Sequence, residues 1–120
     1  MRESSPIARY FVCGVLRVWG LAGRVEDDAA LVVTELVNNA VRHARTPSLR
    51  VTVCRTTVST IRLGVIDLVP ARLPVLRKPS EWDISGRGLA MVDVLARNWG
   101  YSRSPWAKCV WAELEVPDAS

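Results

Sequence analysis

Apolar residues recur along the first third of the chain at the three-and-four spacing of helices. Ile7, Phe11, Val15, Val18 and Trp19 follow Ser4, Ser5 and Pro6, and the stretch closes at Gly20 and Gly23. Serine oxygens satisfy first-turn N–H groups and proline has no N–H to lose there, so the pattern predicts a helix over about 6–19. A second helix is predicted over about 25–43. Glu26, Asp27 and Asp28 load its first turn with negative charge, which suits the positive end of the helix dipole. Ala29, Ala30, Val33, Leu36, Val37, Ala40, Val41 and Ala44 form one broad apolar face, with Glu35, Asn38, Asn39 and Arg42 on the other side. That polar stripe is also what an ordinary solvated helix face would show.

Beyond Pro47 the period drops to two. Leu49, Val51 and Val53 alternate with Arg50, Thr52 and Cys54, and Ile61, Leu63, Val65 and Asp67 alternate with Arg62, Gly64 and Ile66. With a tight connection over 56–59, the two runs predict an antiparallel hairpin. Asp67 falls on the core face, at the end of its strand. A carboxylate there needs a hydrogen-bonding partner, either a ligand or a loop N–H. Residues 68–85 carry Pro70, Pro74, Pro79, Arg72, Arg77 and Lys78, a segment long enough to be a lid rather than a connector. Gly86 and Gly88 then open a helix over about 89–97, and strands are predicted over 99–103 and 109–116. Helix, helix, strand, strand, loop, helix, strand, strand gives an α+β fold. The prediction is a two-layer sandwich, with helices on one face of a mostly antiparallel sheet.

The length of 120 residues suits one domain, 1–120. Hydrophobic residues at 49% and charged residues at 23% fit a globular chain, and no apolar run approaches a membrane span. Arg9 and Arg17 interrupt the N-terminal stretch, so no signal peptide is read and a cytoplasmic location is expected. Cys13, Cys54 and Cys109 form no C-x-x-C pair and are expected to be buried reduced thiols. The single histidine, His43, cannot support a multi-histidine metal site. A net charge of +4 suits an anionic ligand or an acidic partner and permits nucleic acid. The basic residues are scattered and not interleaved with aromatics, so direct nucleic-acid binding is not expected.

Glu35 and Asn39 lie one helical turn apart. Asn39 offers a carbonyl oxygen to a hard cation such as Mg²⁺, which needs few protein ligands when phosphates supply the rest. Glu35 offers a carboxylate that holds a water or accepts a proton. The turn Ser85-Gly86-Arg87-Gly88-Leu89 precedes a helix N-terminus, where N–H groups and the dipole favour phosphate, although a glycine pair is also an ordinary turn. No G-x-x-x-x-G-K-[ST] loop and no dinucleotide fingerprint occur.

In this order and spacing the chain resembles the Bergerat-fold ATP-binding domain (the GHKL class) of histidine kinases, gyrase, the ninety-kilodalton heat-shock chaperone and bacterial anti-sigma serine kinases. Glu35-Leu36-Val37-Asn38-Asn39-Ala40-Val41-Arg42-His43-Ala44 looks like the N box, Asp67 stands where the first glycine box begins, and Ser85 to Leu89 looks like the second glycine box. Arg97-Asn98-Trp99-Gly100 and Val110-Trp111-Ala112-Glu113-Leu114 look like the tail of small actinobacterial anti-sigma members. The resemblance implies roles for these residues. Glu35 would be general base, Asn39 would hold Mg²⁺, and Asp67 would bind the adenine amine. Gly86, Arg87, Gly88 and Leu89 would lie at the phosphates under the 68–85 lid, with His43 and Ala44 close to the nucleotide. It also implies an anti-sigma factor that binds a sigma factor and phosphorylates a serine on an anti-anti-sigma partner. Related proteins often form a homodimer through the first helix and an N-terminal edge strand, which here would be missing or very brief.

Two departures stand out. The first glycine box usually reads D-x-G-x-G, but here it is Asp67-Leu68-Val69-Pro70-Ala71. Ala107-Lys108-Cys109 stands where glycine and threonine are common, so a hydroxyl near the adenine is expected to be lost at Cys109. Both bear on catalysis more than on fold. The alternative they raise is a catalytically weak or inactive module that sequesters a sigma factor or another regulator.

Overall fold

The computed structural model describes residues 4–43, 48–68 and 88–117, and only the backbone of Ser4, Arg42, His43 and Gly88. Helix α1 spans Ser4–Val18 and α2 spans Arg24–His43. Leu21 N–H donates to Leu16 O and Gly20 N–H to Arg17 O, the paired bonds of a Schellman cap, with Gly20 at φ 77°. The cap turns the chain sharply. The two helices therefore run antiparallel, with Ser5 bonded to Asn38, Arg9 to Thr34, and Arg17 to Glu26.

Strand β1 (Leu49–Thr57) pairs with β2 (Thr60–Leu68) through a two-residue turn. Helix α3 spans Gly88–Leu95, β3 Asn98–Arg103 and β4 Ala107–Glu115. All the pairings are antiparallel, in the order β1-β2-β4-β3. Ser104 ties the β3–β4 connection, its N–H donating to Ala107 O and its Oγ accepting from Ala107 N–H. Ile61, Leu63 and Val65 of β2 and Val110, Ala112 and Leu114 of β4 point to one side and are buried. Against them lie Val32, Val33, Leu36 and Val37 of α2, which packs on both central strands, while α1 and α3 pack on α2. Each such buried aliphatic side chain contributes about 1.5–3 kcal/mol. The result is the expected α+β arrangement, with helices on one face of an antiparallel sheet. Among the described residues no helix is long and apolar enough to cross a membrane.

Three local expectations are corrected. Helix α1 carries two apolar stripes, and it is Ala8, Val12 and Leu16 that enter the core. Ile7, Phe11 and Val18 lie on the other stripe, which is exposed together with Tyr10. Cys54 is exposed and Cys13 and Cys109 are half-buried, all three free thiols, because the strand alternation turns Cys54 and Cys109 away from the core. Leu68 belongs to β2 rather than to the lid, whose remaining residues, 69–85, lie outside the described residues.

Candidate functional site

The helix direction and strand pairing carry Asn39, Asp67 and Lys108 toward one end of the described structure. At the other end, a cleft of about 550 Å³ brings together Arg24, Val25 and Asp28 of α2, Val94 and Leu95 at the end of α3, and Leu114 and Glu115 at the end of β4. From there α2 rises about 1.5 Å per residue, which carries Asn39 roughly 20 Å away. Thr60 pairs with Glu115 and Asp67 with Lys108, so the strands cover a similar distance at about 3.3 Å per residue. Asn39, Asp67 and Lys108 therefore lie toward the far end, while α3, eight residues long, begins at Gly88 roughly 10 Å from the cleft. That arrangement makes the far end the candidate site; none of the described candidate residues lines the roomy cleft.

Asn39 is only 3% exposed. It stands seven residues after Val32 and three after Leu36, both fully buried, so it lies on the inward side of α2 rather than on a solvated face. Its Nδ2 has no hydrogen-bond partner among the described residues. A buried amide in that state costs about 1–3 kcal/mol, which is tolerated where a site requires the group. Glu35, one turn earlier, is half-buried. Asn38 is exposed and is held by Ser5 Oγ, which donates to its Oδ1 at 2.6 Å. Arg9 Nη1 donates to Thr34 Oγ1, which donates in turn to Ala30 O at 2.7 Å. These bonds fix the rotation of α2 about its axis, and with it the directions of Glu35 and Asn39.

Asp67 lies on the core side of β2, as the alternation predicts. Its Oδ2 is 3.5 Å from Lys108 Nζ, and both side chains are 4% exposed. Sequence reasoning missed Lys108 because a polar residue ahead of an apolar run was read as loop. The usable signal was phase: Lys108 is two residues before Val110 and so shares its inward face. The same phase corrects the expectation at Cys109, which points to the opposite side of the sheet. Burial pushes the Cys109 thiol up, against a smaller lowering by Arg62.

Leu89 is buried in the first turn of α3. Gly88 begins that helix, so its free N–H groups point toward the same end as Asn39 and Asp67. The side chain of His43, and Ala44, Gly86 and Arg87, lie outside the described residues.

The donor set suits magnesium held mostly by phosphate and water. One buried carboxamide would supply an oxygen, and no group of three or more His, Cys, Asp or Glu gathers as a cage among the described residues. Buried amide, core-facing carboxylate and helix N-terminus are framed by an antiparallel sheet with helices on one face, an α+β arrangement. The chain matches the family model of the histidine kinase-like ATPase domain over residues 2–114, and it belongs to that family. It is similar in fold to the Acinetobacter baumannii histidine kinase AdeS, with TM-score 0.54 and 16% sequence identity over 78% of this chain and 48% of that one. The chain thus spans about half the length of that structure, and at this identity the likeness concerns fold alone. No curated protein matches.

Proposed function

We propose that this chain is a Mg²⁺-dependent ATP-binding regulator, an anti-sigma factor with protein serine/threonine kinase activity on a small anti-anti-sigma partner. The observation that carries the ATP reading is the buried Asn39, whose Nδ2 has no hydrogen-bond partner among the described residues, in a histidine kinase-like ATPase domain. Asn39 Oδ1 would hold the cation, and Mg²⁺ when bound would neutralise phosphate charge. Asp67 accepts a hydrogen bond from the adenine amine. The N–H groups at Gly88 and Leu89, with Arg87, meet the phosphates. Glu35 takes the proton from the partner's serine hydroxyl as its oxygen attacks the terminal phosphorus and the bond to the leaving ADP breaks. Phosphoryl transfer asks mainly for positioning and charge neutralisation, so this small set suffices.

The proposed partners are a sigma factor and an anti-anti-sigma protein, with a homodimer as a further state. The exposed stripe Ile7, Tyr10, Phe11 and Val18 supports a protein-contact role for α1. The test is transfer of labelled phosphate from ATP to a candidate anti-anti-sigma protein. Transfer that is lost in Glu35→Ala supports the kinase reading, and its absence with ATP still bound refutes it. A second reading, a regulator that binds its partner without turnover, is favoured by the glycine-free stretch after Asp67 and by the ion pair this carboxylate makes with Lys108.

A further inference from the structure

We propose that Ser5 is a positioning residue for the nucleotide site: its hydroxyl, donating to Asn38, closes the open end of the α1–α2 hairpin and so holds the turn of α2 that carries Asn39. This rests on the reading of the site as an ATP site. A polar ladder joins the two helices. Arg17 pairs with Glu26 at 2.8 Å, Arg9 Nη1 donates to Thr34 Oγ1 at 3.2 Å, and Ser5 Oγ donates to Asn38 Oδ1 at 2.6 Å. From rung to rung the step is eight and then four residues, on α1 and α2 alike. The rungs therefore follow matching i, i+4 rows on two antiparallel helices and share one seam.

Thr34 and Asn38 each immediately precede a site residue, Glu35 and Asn39. The seam gripped by α1 thus runs alongside the site stripe, about 100° round the helix. The three rungs differ in what else supports them. Arg17–Glu26 lies beside the covalent connection through Gly20 and Gly23. Arg9 adjoins Ala8, which is buried in the core. Nearer the start of α1, Ile7 is exposed and Ser5 and Pro6 are half-buried, so core burial ends at Ala8. On α2 apolar burial thins in the same direction, from buried Val37 to half-buried Ala40 and Val41. The Asn39 Nδ2 has no hydrogen-bond partner among the described residues, so the helix itself sets the direction of this amide. Ser5 ties that helix at the residue next to it.

The experiment is calorimetric titration of the full chain with ATP, with and without Mg²⁺, beside urea unfolding followed by circular dichroism. Four variants accompany the wild type: Ser5→Ala, Ser5→Thr, Asn38→Ala and Ser5→Ala/Asn38→Ala. The wild type is expected to bind ATP more tightly with Mg²⁺. Ser5→Ala should lose about three- to tenfold in affinity for Mg²⁺-ATP, the worth of an ordinary hydrogen bond, while its affinity for ATP without Mg²⁺ stays level. Ser5→Thr keeps a hydroxyl and should recover most of the loss. Asn38→Ala should match Ser5→Ala, and the double variant should be no worse than either, because the two residues act through one bond. A purely structural role for Ser5 would lower ATP affinity equally with and without Mg²⁺, in step with the loss of urea stability.

A loss of the same size without Mg²⁺ would overturn the proposal. So would additive losses in the double variant, which would mean that Ser5 and Asn38 act separately. Should Ser5→Ala fail to fold, Asn38→Ala decides by the same comparison with and without Mg²⁺. A wild type that binds no ATP, or binds it without regard to Mg²⁺, would overturn the site reading and this inference together. A wild type that binds Mg²⁺-ATP beside an indifferent Ser5→Ala would overturn this inference alone.

Discussion

Asn39 gives up stability to be where it is, and replacing it should recover some of that stability. Leucine has nearly the shape of asparagine and carries no polar atom. In Asn39→Leu the buried Nδ2, which has no hydrogen-bond partner among the described residues, is gone, together with a desolvation cost of about 1–3 kcal/mol. Leucine is also the better helix former by a few tenths of a kcal/mol, and it adds apolar contact beside Val32 and Leu36. Imperfect fit returns about 1 kcal/mol. The net expectation is a gain of about 1–2 kcal/mol, or roughly 3–8 °C in Tm for a domain of this size. Asn39→Asp, which places a charge at the same buried position, should lose about 3 kcal/mol or more. The assay is urea and thermal unfolding followed by circular dichroism, with the urea slope compared between variants to confirm that only stability has changed. A fall in Tm for Asn39→Leu at unchanged slope would refute the reasoning, because it would mean the native amide is satisfied. A gain in stability accompanied by loss of ATP binding is the signature of a residue kept for function.

The Arg17 guanidinium holds the Glu26 carboxyl below its ordinary value of 4.5, chiefly through the hydrogen bonds from Nε. The resulting stabilisation is fully present above about pH 4.5 and is lost as pH falls through the depressed value, so the Tm gap between wild type and Glu26→Gln should hold from pH 7 to 5 and narrow below 4.5. Gly100 lies under the Trp111 indole, where an added Cβ would sit 2.8 Å from Cζ2; the Cβ of an alanine at Gly64 would meet Thr52 Oγ1 at 2.7 Å. The hydroxyl can rotate away and the indole cannot as easily, so Gly100→Ala should cost about 1–3 kcal/mol in chemical denaturation and Gly64→Ala less, with a tryptophan emission shift only in the first. Arg62 stacks over Trp111 at 4.4 Å and pairs with Glu113 at 2.8 Å. Arg62→Ala should cost about 1–2 kcal/mol, and the part due to the ion pair should shrink in 1 M salt.

The sheet and the long helices were legible because each follows one period. Ile61, Leu63, Val65 and Asp67 hold strict alternation, and the structure puts all four on the buried side. Helix α1 was legible as a helix but not in its orientation: its two apolar stripes are similar in hydrophobicity, and only packing against α2 chooses Ala8, Val12 and Leu16. Asn39 was legible as a candidate through its spacing from Glu35, but its burial was not. A helical wheel centred on Ala29, Val33 and Leu36 leaves Val32 at its edge, and Val32 is what brings Asn39 inward. Lys108 was hidden because burial of a lysine depends on its cross-strand neighbour, here Asp67, and that register exists only once the strands are paired. The lid and most of the second glycine box, residues 69–87, rest on sequence alone.

The most direct test of the ATP site is calorimetric titration of the purified chain with ATP, with and without Mg²⁺, beside Asn39→Ala. The account predicts binding that strengthens with Mg²⁺ in the wild type and weakens at least tenfold in Asn39→Ala, a loss of about 1.4 kcal/mol or more. No binding by the wild type at millimolar ATP, or equal binding by Asn39→Ala with and without Mg²⁺, would contradict it.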